Sequence, residues 1–205
     1  MSDTYEFKGK KGKLETYEWD RVWWEQTSVE DKTRVFYIGD SISCATRECA
    51  TKASNNTILF DGFGTSKSLD NPYFTKSLTL CMEQQGERKA ILLNNGLHGW
   101  HLKDDTEYKE EYEKMINFLL KIDKSAQLIL VLTTHVASEE EDERVQARNA
   151  VVIELAKKYC LPIIDLYSVS KAHEDLICED GVHMLPEGYQ LLAQELVKGV
   201  CENIK

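Results

Sequence analysis

What this sequence has little of narrows the possibilities first. Its 205 residues contain only three prolines and no proline- or glycine-rich stretch that would serve as a linker. That length without a break suits one globular domain. No run approaches the roughly 20 apolar residues of a membrane span, and the start, Met1-Ser2-Asp3-Thr4-Tyr5, lacks a signal-peptide core. The expectation is a cytoplasmic protein with no membrane partner. Basic residues are in deficit: 25 Lys and Arg stand against 35 Asp and Glu, a formal charge of −10. Nucleic acid is therefore excluded as a partner, because phosphate binding needs basic surface. The short basic run of Lys8, Lys10, Lys11 and Lys13 reads as solvated tail. No Cys-x-x-Cys pair occurs among Cys44, Cys49, Cys81, Cys160, Cys178 and Cys201. They are expected to be free thiols, several buried as small apolar residues, and not a zinc site.

What is present is an alternation of short apolar runs with helical patterns. The runs are Val35–Ile38, Thr57–Phe60, Ala90–Leu93, Leu128–Leu132 and Ile163–Tyr167. Most are apolar at consecutive positions, as in parallel strands covered on both faces, and Leu128–Leu132 is expected to lie centrally. Between them, Tyr108, Tyr112, Met115, Leu119 and Ile122 recur at helical spacing, with Asp104, Asp105 and Thr106 as candidate caps. Ser138 with Glu141 reads as a capping box opening a second helix, and its neighbouring carboxylates suit a helix N-terminus better than a binding patch. Pro186 opens the last helix, with Tyr189, Leu192, Leu196 and Val200 on one face. The pattern predicts an α/β fold of three layers, α/β/α, around a flavodoxin-like, five-stranded parallel sheet. Residues 1–33 stand outside it. Trp19, Trp23 and Trp24 predict an apolar arm packed on a domain formed by residues 34–205; aromatics near a cleft can also stack on sugars.

In such a sheet, ligand-side loops leave the carboxyl ends of the strands. After the first run comes Gly39-Asp40-Ser41, a turn into a helix that exposes a serine hydroxyl and leaves its N–H free for an oxyanion. A plain turn and helix cap has the same composition. The second run is followed by Asp61-Gly62-Phe63-Gly64-Thr65-Ser66, read as a glycine loop that lets backbone N–H groups approach an oxyanion or a phosphate. The third ends in Asn94-Asn95-Gly96-Leu97-His98-Gly99-Trp100-His101, where an asparagine amide can donate to an oxyanion. His98 and His101 lack a third metal ligand. Late in the chain, Asp180-Gly181-Val182-His183 places a carboxylate and an imidazole three apart in a turn, where one can fix the tautomer of the other.

Taken together, these four blocks resemble the SGNH or GDSL hydrolases, and the third and last, with Pro186-Glu187-Gly188-Tyr189, look like those of bacterial members. The resemblance spans Val35 to the end. It implies an esterase, often acting on acetyl or short acyl groups of sugars, with Ser41, Asp180 and His183 as triad and neither cofactor nor metal. It also implies an oxyanion hole from the N–H of Ser41, a second-block glycine and a third-block asparagine. The usual third block, Gly-x-Asn-Asp, is replaced here. Asn94, which leaves the strand first, is preferred to Asn95, and Gly64 to Gly62. The expected substrate is a small-molecule or carbohydrate ester. The rival is a non-catalytic protein of the same fold that binds an acylated glycan, or a nucleotide or flavin whose phosphate rests on Gly62 and Gly64; the late Asp–His pair would then have no task.

Overall fold

The computed structural model describes residue 14, residues 17–102 and residues 104–204. The lysines of the basic run and the first five residues lie outside the described residues. The described strands, in chain order, are β1 (Asp20–Trp23), β2 (Thr33–Gly39), β3 (Ile58–Thr65), β4 (Ala90–Leu93), β5 (Gln127–Val131) and β6 (Ile163–Ile164). They form one sheet of order β1-β3-β2-β4-β5-β6. The five strands from β3 to β6 pair in parallel, in flavodoxin-like order, and β1 adds to the β3 edge in antiparallel sense. The fold is thus the expected three-layer α/β/α, with one strand more than the sequence pattern predicts.

Helices α1 (Ser41–Ala53), α5 (Leu166–Ala172) and α6 (Pro186–Asn203) cover one face of the sheet. Helices α2 (Phe74–Gln85), α3 (Asp105–Ile122) and α4 (Glu139–Tyr159) cover the other. Each face is an apolar cluster of its own, so β2, β4 and β5 bury side chains on both sides, and this is why their sequences run apolar without alternation. The expected caps are formed: Asp104 accepts from Thr106 N–H and Ser138 from Glu141 N–H. On α6, Leu192, Leu196 and Val200 are wholly buried, each contributing about 1.5–3 kcal/mol relative to exposure.

Three expectations need correcting. Leu128–Leu132 lies one strand from the edge; β2 and β4 are central, because a strand between two crossovers can be buried on both faces wherever it sits in the order. The run at Ile163–Tyr167 is a strand only at Ile163–Ile164, because Asp165 caps α5 through Ser168 and the chain turns helical at Leu166. The segment around Trp19 to Trp24 is more than a packed arm. Asp20–Trp23 is hydrogen-bonded into the sheet, and Trp24 stacks on Phe36 with ring centroids 6.1 Å apart.

Candidate active site

β2 ends at Gly39, and Asp40 then caps α1, its carboxylate accepting from the N–H groups of Ile42 and Ser43. Ser41 is the first helical residue, half-buried at the carboxyl end of the sheet. Its own N–H has no partner among the described residues, and it points where a helix N-terminus favours negative charge. Its hydroxyl lies 2.8 Å from His183 Nε2.

His183 arrives from the other end of the chain. A bridge between Ile177 and Met184 closes a loop in which Asp180 Oδ1 accepts from the N–H groups of Val182 and His183, both at 2.9 Å. Asp180 Oδ2 then meets His183 Nδ1 at 2.7 Å. Burial alone would raise the Asp180 pKa. The two backbone N–H groups and the imidazole outweigh it and hold the carboxyl below its ordinary value. Serine, imidazole and carboxylate thus form one hydrogen-bonded line across 142 residues of chain. Asp165 is engaged in capping α5 and takes no part in that line.

The second and third blocks flank Ser41, though differently from the sequence reading. Asp61 to Thr65 is not a loop but the last part of β3, paired with β1 on one side and β2 on the other. Asp61 can sit wholly buried there because Arg34, Gln85 and the Glu25 N–H satisfy its carboxylate. Gly64 lies against the nucleophile turn: a Cβ on it would stand 2.1 Å from Cys44 Sγ and 3.3 Å from the Asp40 carbonyl. Gly62 lies further from that turn, against Arg47. Gly96, at φ +64°, lets the third block press on the Asp40 carboxylate, where a Cβ would come within 1.7 Å.

Of the two asparagines, Asn94 donates from its amide to the Val131 carbonyl (2.8 Å) and to Thr133 Oγ1 (3.2 Å), which uses both hydrogens to tie β4 to the end of β5. Asn95 donates one hydrogen to the Lys67 carbonyl at 3.2 Å, just past β3, and its Oδ1 is buried without a partner. Asn95 thus keeps one amide hydrogen uncommitted, whereas Asn94 keeps none. His101 pairs with Asp70 at 3.0 Å. Among the described residues, no group of three His, Cys, Asp or Glu is placed to hold a metal.

One pairing has no precedent in the sequence reading. His135, just after β5, is buried with Nδ1 2.6 Å from Asp142 Oδ1, while Asp142 Oδ2 accepts from Tyr167 and Gln146. Its Nε2 lies 3.4 Å from Lys171 Nζ and 3.6 Å from Glu174 Oε2, and the three side chains together line a cleft of about 400 Å³. Ala137 N–H, in the same segment, binds the Gly181 carbonyl, so this cluster braces the loop carrying Asp180 and His183. The signal available in sequence was a histidine directly after an apolar run, Thr133-Thr134-His135, with Asp142 in the first turn of the next helix.

No protein-family model and no curated protein sequence matches the chain. Solved structures do. One is a member of the lipolytic G-D-S-L family from Veillonella parvula, 20% identical, with TM-score 0.66, over 81% of this chain and 97% of that one. A lipase/acylhydrolase from Enterococcus faecalis is 18% identical, with TM-score 0.67, over 84% and 97%. Est24, a carbohydrate acetylesterase from Sinorhizobium meliloti, is 12% identical, with TM-score 0.66, over 83% and 99%. The fold is that of the GDSL, or SGNH, hydrolases.

Proposed function

We propose that this protein is a serine ester hydrolase that removes short acyl groups from a small-molecule or carbohydrate ester. The unbroken line Ser41 Oγ–His183 Nε2, His183 Nδ1–Asp180 Oδ2 carries this reading. Ser41 attacks the ester carbonyl while His183 accepts its proton, and Asp180 fixes the tautomer and stabilises the imidazolium. The oxyanion is held by the Ser41 N–H and the Asn95 amide, each donor worth about 3 kcal/mol. Gly64, the other donor expected from the sequence, stays paired within the sheet, and its part in this reading is to let the nucleophile turn lie close against β3. His183 then protonates the departing alcohol, and water repeats the sequence on the acyl-enzyme. The mechanism needs neither cofactor nor metal. Residues 34–205 are the catalytic unit in this proposal, and the stretch before them is an arm that supplies β1. The fold neighbours, which include a lipase/acylhydrolase and a carbohydrate acetylesterase, fit a substrate of this class. A fluorophosphonate probe tests the proposal: wild type is labelled at Ser41, and Ser41→Ala is neither labelled nor active, its turnover lower by on the order of a million-fold. Ser41→Ala activity within tenfold of wild type would end it.

A further inference from the structure

Residues 66–73, which lead from β3 to α2, belong to no helix or strand, yet Ser66 and Lys67 are buried. What holds their backbone is the stretch that enters β1. The Ser66 N–H donates to the Trp19 carbonyl (3.1 Å), and the Trp19 N–H donates to Ser66 Oγ (2.9 Å). Lys67 Nζ donates to Asp20 Oδ1 at 2.6 Å and stands 3.5 Å from Glu18 Oε2. Thr65 Oγ1, which accepts from the Lys67 N–H, donates to the same Asp20 oxygen. The Asn71 amide donates to both oxygens of Glu18. Glu18 and Asp20 thus neutralise a lysine that is only 7% exposed. Removing the partners of such a charge is costly, because the charge itself stays buried.

The backbone carbonyl of that lysine faces the third block. It accepts from Asn95 Nδ2 at 3.2 Å, while Asn95 Oδ1 has no partner among the described residues. One hydrogen bond therefore sets the orientation of the whole Asn95 amide. Only the NH2 end can face a carbonyl, and the group is planar, so anchoring one hydrogen fixes the direction of the second. Asn94, whose hydrogens go to Val131 and Thr133, has no such dependence. A second tie joins the same two segments: the Trp19 ring meets His98 of the third block edge-on, with centroids 6.1 Å apart.

We propose, resting on the esterase reading with Asn95 as a donor, that Glu18 and Asp20 are positioning residues of the oxyanion hole. Through Lys67 they place the carbonyl that aims the uncommitted Asn95 hydrogen at the reacting ester. The stretch before residue 34 then serves the active site and is not only an added strand. Neither acid has to touch the substrate. An oxyanion donor works only when aimed at the point where charge develops, and a misplacement of about 1 Å caused far from the chemistry can cost on the order of a hundredfold in rate. Uncoupling the ion pairs acts on turnover more than on binding, because the oxyanion forms only in the transition state.

The test is a double-mutant cycle on para-nitrophenyl acetate hydrolysis. Lys67→Met, and separately Glu18→Gln combined with Asp20→Asn, should each lower kcat by about ten- to a hundredfold with KM within about twofold. The two acid side chains are 25% and 33% exposed, so the amide variant keeps the fold where Lys67→Met does not. In an Asn95→Ala background the same changes should alter kcat by less than about twofold, because the amide they aim is gone. Lys67→Arg, which keeps the charge, should retain most of the activity. An equal loss in both backgrounds overturns the proposal, since the ion pairs then act on the fold alone. So does an unchanged kcat in the amide variant or in Asn95→Ala, and either leaves Ser41 and its triad standing. If wild type cleaves no ester, the esterase reading fails separately, and nuclear magnetic resonance decides the coupling. The side-chain amide signals of Asn95, identified by their loss in Asn95→Ala, should shift or broaden in the amide variant while those of Asn94 stay in place; unmoved Asn95 signals overturn it.

Discussion

Replacing Asp180 with asparagine changes one atom's chemistry while leaving its outline intact, and the hydrogen bonds around it dictate the outcome. Oδ1 accepts from two backbone N–H groups and Oδ2 from the imidazole. An asparagine has only one acceptor oxygen. Placed at the Oδ1 position, it preserves both backbone bonds and turns its NH2 toward His183 Nδ1. The imidazole must then accept there, so its proton moves to Nε2 and faces Ser41, where a base is required. The flipped amide would restore an acceptor to His183 but set NH2 against two N–H donors. Losing two bonds at about 1 kcal/mol each, with repulsion added, keeps that form to a few per cent or less. Turnover in Asp180→Asn should fall by roughly ten-thousand-fold, about 5.5 kcal/mol of barrier, and fluorophosphonate labelling of Ser41 should slow comparably. The melting temperature should stay within a few degrees, because the turn keeps its backbone bonds. The assay is steady-state hydrolysis of para-nitrophenyl acetate beside a circular-dichroism melt. Near-normal rates in Asp180→Asn, with loss in Asp165→Asn, would refute the reasoning outright.

Other outcomes follow from the same contacts. Asn95→Ala should lower kcat by about a hundred- to a thousand-fold, whereas Asn94→Ala should lower the melting temperature by several degrees by stranding the Val131 carbonyl and Thr133; kinetics and melts on both variants check the assignment. Gly64→Ala should destabilise the protein by driving a methyl into Cys44 Sγ, and Cys44→Ala in the same chain should restore much of the loss, measurable as a double-mutant cycle. For Asp142, burial alone would raise the pKa, but hydrogen bonds from Tyr167, His135, Gln146 and the Val136 N–H hold it below the ordinary value of 3.8. A depressed carboxyl pKa stabilises the fold above that value and ceases to as pH falls through the lower folded value. The melting temperature of Asp142→Asn should thus trail wild type by roughly 4–10 °C at neutral pH, a gap that closes as the medium is acidified below pH 3.8; a gap constant with pH would contradict the ionised form.

The sequence by itself determined the layers and the endpoints of the candidate triad. Consecutive apolar residues at Val35–Ile38 and Ala90–Leu93 can be buried only by helices on both faces, so the parallel sheet follows from burial alone. Asp180 and His183 were legible because their pairing is local: three residues in one turn hold both groups. Tertiary structure decided whatever depends on a distant edge. Asp61 to Thr65 reads as a loop because it carries an acid and two glycines, yet Arg34 and Gln85 neutralise the acid and β1 pairs with the edge, which makes it a strand. Asn94 and Asn95 are chemically identical neighbours, told apart only when the end of β5 claims the amide of the first. The burial of Arg47 was invisible for the same reason, since whether a charge on a helix faces water or a glycine depends on the strand opposite it.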